Sequence, residues 1–188
     1  METVGIEQAR FRNVMGRFCT GVTLITSQDQ EGPIGFACQS LQSLSLEPPM
    51  VSFAPARTST SWPRIRDTGR FAVNILTAEQ GDLCAQFAKS GGNKFAGISW
   101  TSSGLGCPLI DDVHAWLDCT VVDEFEAGDH TLVLGLVNEL HADDSNDPLV
   151  YYRGGFRALE TAGGNAGTHA AASSAQPGAG PGRYNRRH

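Results

Sequence analysis

The sequence has no excess of basic residues and no long apolar run. Its 14 Lys and Arg are outnumbered by 20 Asp and Glu, giving a formal charge of -6. Binding a phosphate backbone needs clustered cations, so nucleic acid is not an expected partner. No stretch approaches the roughly 20 apolar residues of a membrane-spanning helix. The opening METVGIEQARFRNVMGRF also lacks the continuous apolar core of a secretory signal. Both absences point to a cytoplasmic protein with no membrane partner. The five cysteines, Cys19, Cys38, Cys84, Cys107 and Cys119, are odd in number and contain no C-x-x-C pair. That spacing disfavours a disulfide frame or a zinc site and suits buried reduced thiols. His114, His141, His169 and His188 show no ligand spacing with one another or with carboxylates, so no metal site is expected. A Walker-type phosphate loop, a Rossmann glycine fingerprint and a G-x-S-x-G elbow are all missing, which removes the usual support for phosphoryl transfer and serine hydrolysis.

What is present reads as one domain followed by a tail. Residues 1–160 carry the apolar patterning, and 188 residues suffice for a single substantial core. Residues 161–188 turn into a Gly-, Ala-, Ser- and Pro-rich stretch with little to bury, and disorder is expected there.

Within the domain, Phe11, Val14, Met15 and Phe18 recur at helical spacing, predicting a helix over about 7–18 with its apolar face on the core. GVTLITSQ and IGFACQS flank a Gly-Pro turn and read as a hairpin, and Pro48-Pro49 closes SLSLE before a third strand, MVSFA. Ser59, Thr60 and Ser61 before Pro63 predict a short helix that stops at Gly69. FAVNIL is strand-like. Thr77 and Gln80 have capping-box spacing, opening a helix that turns Leu83, Phe87 and Ala88 inward. AWLDCTVVDEF and HTLVLGLVNEL, joined at Glu126-Ala127-Gly128-Asp129, predict a long antiparallel hairpin, and LVYYRGGF a last strand. Without βαβ alternation, about six strands in antiparallel order indicate a mainly β fold, a closed or partly closed barrel with peripheral helices.

Four segments have the composition for chemistry. Arg57, Thr58, Ser59, Thr60 and Ser61 place a guanidinium and hydroxyls before a helix start, which suits a mononucleotide phosphate or simply caps the helix. Gly35, Phe36, Ala37, Cys38, Gln39 and Ser40 are mostly small or polar residues at a strand end, suited to close approach by a flat ring or to an ordinary polar exit. His130, beside Gly128-Asp129, is placed to stack on or bond a nicotinamide, or to sit solvated in a turn. Tyr151, Tyr152, Arg153, Gly154, Gly155 and Phe156 combine aromatics, a cation and glycines, as a dinucleotide clamp or a bulged edge strand would.

TGVTLITS, GFACQSLQSLSLEPPMVSFAP, RTSTSW, GRFAVNIL, KFAGISW, GDHTLVLGLV and PLVYYRGGF occur in this order. Together they resemble the flavin reductase family, the reductase components of two-component, flavin-diffusible aromatic monooxygenases. The resemblance runs from about Phe11 to Phe156 and implies an FMN-binding split β-barrel, a homodimer with flavin near the subunit interface, and a separate monooxygenase as partner. It implies reduction of FMN or FAD by NADH or NADPH. The flavin-contacting segments would be Ala37, Cys38, Gln39 and Ser40; Ser52, Phe53 and Ala54; Ser59 and Thr60; and Lys94 with Phe95. His130 would lie by the nicotinamide as the one catalytic candidate, and Tyr152, Arg153 and Gly154 would form the closing motif. FCTGVT with GFACQS is most similar to reductases serving hydroxylases of phenolic or steroid-derived phenolic compounds. Cys38 departs from the pattern, since many members carry Ser or Thr there. Two other uses of such a barrel remain open at this point: a flavin carrier without turnover, and oxidation of pyridoxamine phosphate.

Overall fold

The computed structural model describes residues 5–143 and 147–159; the predicted tail lies outside them. The chain begins with helix α1, Gln8–Met15, none of whose residues is buried. Phe11, Val14 and Met15 are 57%, 59% and 50% exposed, so the expected packing of this face on the core is wrong. Periodicity shows that a helix has an apolar face but not which surface covers it. The C-terminal end of α1 is tied down elsewhere, where the Gly16 carbonyl accepts a 2.9 Å bond from the Arg153 N–H.

Among the described residues, twelve strands follow rather than about six. They are β1 (Thr20–Gly21), β2 (Thr23–Asp29), β3 (Gly32–Cys38), β4 (Gln42–Leu46) and β5 (Pro49–Phe53), then, after helix α2 (Trp62–Thr68), β6 (Arg70–Ile75). A 3₁₀ turn at Ala78–Gln80 leads into helix α3 (Gly81–Ala88), followed by β7 (Trp100–Ser102), β8 (Pro108–Ile110), β9 (Ala115–Ala127), β10 (His130–Ala142), β11 (Val150–Tyr152) and β12 (Gly155–Arg157). Local signals placed many of these correctly. Gly69 ends α2 with φ 69°, a left-handed conformation that glycine adopts without steric cost. The Thr77–Gln80 capping box forms. The long hairpin pairs Ala127 with His130 across a two-residue turn, with Gly128 at φ 67°.

The extra strands are short or carry polar, exposed residues. SLSLE becomes β4, an edge strand with Leu46 90% exposed. LVYYRGGF splits into the β11–β12 hairpin because Arg153 (φ 51°) and Gly154 (φ 82°) both adopt positive φ, the requirement of a tight type I′ turn. Among the helices, α3 buries Cys84 and Phe87, whereas Ala88 is exposed rather than inward. Four cysteines are buried and free, but Cys19 is exposed. Burial raises the buried thiols, Cys107 to about 11 and Cys119 to about 12, with the Asp118 charge adding to both.

Seven strands form one antiparallel sheet in the order β3-β2-β6-β9-β10-β5-β4. The sheet curls, because β3 and β5, far apart in that order, meet through Phe36 and Phe53 with ring centroids 6.3 Å apart. Phe53 also packs edge-on to Phe71 at 5.1 Å and to Trp62 at 5.4 Å. The Phe71 ring fills the space left by the missing side chain of Gly135, where a Cβ would overlap it. A second core, including Leu24, Leu76, Phe87 and Phe95, lies under α3. Asn74 links the β7–β8 ribbon to the sheet: its amide donates to Thr26 Oγ1 at 2.9 Å and its carbonyl accepts from the Ile110 N–H at 2.8 Å.

Overpacking at the Gly135 contact should be costly. Gly135→Ala is expected to lower stability by about 1–3 kcal/mol, whereas Gly21→Ala, with nothing within 4 Å of the new methyl, should stay within about 0.5 kcal/mol. Urea denaturation midpoints of the two variants check this.

Candidate functional site

Where β3 ends and β5 runs out, the curled sheet leaves a cavity of about 610 Å³. Ala37, Cys38, Gln39 and Ser40 line one side, Ala54, Pro55, Ala56 and Ser59 the next, and Cys84, Ala85 and Ala88 of α3 a third. His130, Tyr151, Phe156, Val22 and Phe36 complete it. Ser40 fixes the junction: its Oγ accepts a 2.8 Å bond from the Ala54 N–H and lies 3.3 Å from Cys38 Sγ. Burial raises the Cys38 thiol above its ordinary pKa, so it stays protonated and neutral at neutral pH.

A narrow neck of about 160 Å³ adjoins the cavity, lined by Thr58, Ser59, Thr60, Ser61, Lys89, Ser90 and Lys94 among others. Two of these hydroxyls serve the fold. Ser59 Oγ accepts the N–H of Trp62, the first residue of α2, at 3.1 Å, while Ser61 Oγ donates to the Gly35 carbonyl at 3.1 Å. Thr58 and Thr60 are exposed. With only seven residues in α2, the attraction of this neck for an anion rests on lysines and hydroxyls rather than on the helix end. The Lys94 ammonium donates to the carbonyls of Gly35 (3.2 Å) and Phe87 (3.1 Å). One of its three donors is left over, and burial lowers its pKa.

The tip of the β9–β10 hairpin is pinned over the cavity. Arg57 N–H donates to the Asp129 carbonyl at 2.9 Å and Thr131 N–H to the Pro55 carbonyl at 3.0 Å. His130 Nδ1 lies 2.7 Å from Asp129 Oδ1, and this bond to His130 is the main reason the Asp129 carboxyl titrates below its ordinary value. The carboxylate orients the imidazole, leaving Nε2 as the ring nitrogen free to meet a ligand.

Other expected site residues sit differently. Ser52 and Phe53 are buried at 7% and 1% exposure behind the wall, and of this trio only Ala54 reaches the cavity. Arg57 faces a separate cleft and lies 3.9 Å from Glu126. Phe95 is buried against Phe87, with ring centroids 5.0 Å apart. Tyr152, Arg153 and Gly154 lie at the β11–β12 turn and do not line the cavity; Tyr151 and Phe156 do. Neighbouring strand residues face opposite ways, and Tyr151 pairs with Phe156 across the hairpin, so these two share a face. That alternation was the available signal. Cys84, Ala85 and Ala88 carry no chemical signature, although their spacing puts them on one face of α3.

A larger depression of about 820 Å³ lies elsewhere, around Asp29, Glu31, Arg64, Asp67 and Arg70. Arg64 in it is engaged by Asp29 through two 2.8 Å bonds and lies 3.3 Å from Glu31, and it contains none of the candidate residues. The smaller cavity, with small side chains and a few convergent polar groups, has the character of a ligand site. Among the described residues, no cluster of three or more His, Cys, Asp and Glu is placed to hold a metal. No helix among them is long and apolar enough to cross a membrane.

Comparison with known proteins gives the same family. Residues 15–160 match the model of the flavin reductase like domain. The chain is 46% identical over 155 residues to the reductase subunit HsaB of a flavin-dependent monooxygenase from Rhodococcus jostii, covering 82% of this chain and 80% of that one. A homologue of nitrilotriacetate monooxygenase component B from Mycobacterium thermoresistibile superposes with TM-score 0.81 at 43% identity, covering 90% of this chain and 96% of that one. The NADH:FAD oxidoreductase SgcE6 of Streptomyces globisporus, solved in complex with NAD and FAD fragments, superposes with TM-score 0.80 at 30% identity over 84% of this chain and 96% of that one. The chain therefore belongs to the flavin reductase like domain family, and its curled sheet is the split β-barrel of that family.

Proposed function

We propose that the protein is an NAD(P)H:flavin oxidoreductase that reduces FMN or FAD and supplies the reduced flavin to a separate flavin-dependent monooxygenase in the cytoplasm. The observation that carries this reading is the convergence of Ala37–Ser40, Ala54, Ser59 and His130 on one cavity of about 610 Å³. The residues fit a flavin. Alanines from three elements allow a flat ring close approach, and the neck of hydroxyls and two lysines beside them accommodates its phosphate. A flavin held there would supply the hydride acceptor, and a nicotinamide stacked on it the hydride donor.

The chain contributes binding and alignment rather than acid–base chemistry, because proximity of the two rings dominates such a transfer. The backbone of Ala37–Ser40 meets the polar edge of the flavin ring, where negative charge develops. Thr60, Ser59 and Lys94 hold the phosphate. Ser52, Phe53 and Phe95 support the walls, and the Tyr152-Arg153-Gly154 turn holds Tyr151 and Phe156 against the opening. His130, oriented by Asp129, positions the nicotinamide. The uncovered apolar face of α1, with Phe11 and Val14 more than half exposed, packs against a second copy of the chain. Because α1 is bonded to the turn at Arg153, that interface lies beside the cavity.

Following NADH absorbance with FMN and with FAD should show continuous turnover, whereas a flavin carrier would stop after one equivalent. His130→Ala should raise the KM for NADH several-fold, and unchanged KM and kcat would remove the positioning role. Light scattering should give twice the chain mass. Phe11→Glu combined with Val14→Glu should give the monomer, and a monomeric parent would contradict the assembly.

A further inference from the structure

Charge is distributed unevenly along the chain. Residues 8–21 and 148–157 carry Arg10, Arg12, Arg17, Arg153 and Arg157, five of the 14 basic residues, and none of the 20 acidic ones. The fold brings these two segments together. β1 pairs with β11, and the Gly16 carbonyl accepts the Arg153 N–H at 2.9 Å. Arg12 lies one helical turn before Gly16 and shares its side of α1. That side meets the β11–β12 turn, since a Cβ on Gly16 would sit 3.8 Å from Arg153 Cα. All five arginines are exposed. Among the described residues none of them makes a close ion pair with a carboxylate, whereas Arg57, Arg64 and Arg66 do.

This corner borders the cavity without lining it. Phe156, at the cavity, is followed by Arg157, whose Nη1 donates to the Phe156 carbonyl at 2.7 Å. At the tip of the β9–β10 hairpin the Asp129 carboxyl titrates low chiefly through its bond to His130, and the Arg12 charge adds to that effect. No arginine of the corner is among the residues lining the cavity, so the group acts on an approaching ligand through its field rather than by contact. At about 0.1 M salt a charge is felt over about 10 Å, and at about 1 M over only about 3 Å. Cations on adjoining elements therefore sum into one positive region on a chain whose formal charge is -6. A dinucleotide with its anionic diphosphate, repelled by the net charge, is drawn to the side where the cavity opens.

Resting on the flavin reductase reading above, we infer that the arginine corner of α1 and the β11–β12 hairpin steers the anionic nicotinamide dinucleotide to the cavity mouth, raising its rate of capture without binding it.

Steady-state NADH oxidation by the full chain at saturating FMN, measured across a salt series, tests this. For the parent, kcat/KM for NADH should fall about tenfold from low to high salt. Arg10→Glu, Arg12→Glu and Arg17→Glu combined should lower kcat/KM about tenfold at low salt and flatten its salt dependence, with kcat unchanged. Arg10→Lys, Arg12→Lys and Arg17→Lys combined should keep the parent values, because steering reads charge and not guanidinium geometry. With 1-benzyl-1,4-dihydronicotinamide, an uncharged hydride donor, parent and charge-reversed variant should be equal. If the charge-reversed variant does not fold, Arg10→Gln with Arg17→Gln carries the same test with about a threefold drop. A salt-independent parent, an unaffected charge-reversed variant, a loss in the charge-retaining one, or an equal loss with the uncharged donor would overturn the inference. NADH turnover by the parent alongside any of those results would leave the reductase reading standing. No turnover with FMN or FAD would instead remove that reading and the inference together.

Discussion

The ring of Phe71 against the bare backbone of Gly135, with Phe53 edge-on beside it, is the contact on which the site depends. It lets the seven-stranded sheet bend tightly enough for β3 to meet β5 through Phe36 and Phe53. Each such aromatic pair contributes about 0.5–1.5 kcal/mol beyond its buried area. The bend sets the ends of both strands side by side, where Ser40 Oγ accepts the Ala54 N–H. That bond, worth about 0.5–1.5 kcal/mol net, joins two segments that line the cavity, and the Ser40 hydroxyl also donates to the Ala54 carbonyl at 3.4 Å. The core thus acts on function by geometry, without itself touching a ligand.

Polarity in the groove follows the demands of a flavin and a nicotinamide. The wall nearest the ring is small and uncharged, and Cys38 fits it because burial keeps its thiol protonated. Under the proposed assignment, a neutral thiol in place of a hydroxyl would put no fixed charge beside a ring that becomes negative on reduction. The neck beside it carries two lysines, Lys89 and Lys94. At the mouth, the Asp129–His130 pair is held by backbone bonds between the hairpin tip and residues 55–57. Rigid backbone therefore places each polar group, as alignment-driven catalysis requires.

Local chemistry made much of this legible in the sequence. The capping box at Thr77 and Gln80, the left-handed stop at Gly69 and the glycine turn at Gly128 each act within a few residues, so their patterns survive into the fold. The segments 37–40, 54, 59 and 130, which the sequence singles out because strand ends, hydroxyl-rich loops and turn histidines have distinctive composition, converge on one cavity. Longer-range features were hidden. The periodicity of α1 was right but its destination was not, since a helix carries the same pattern whether its own core or another surface covers it. β4 and β7 were obscured by polar, exposed positions. Arg153 in positive φ turned one apparent strand into a hairpin and exchanged Tyr152 for Tyr151 and Phe156 at the cavity.

The central claim is that the curl of the sheet builds the flavin seat at the ends of β3 and β5. An NMR titration of the isotope-labelled protein with FMN addresses it residue by residue. The largest backbone amide shifts should fall on Ala37, Cys38, Gln39, Ser40 and Ala54. Shifts concentrated instead around Asp29, Arg64 and Arg70, in the larger open depression, would contradict the account.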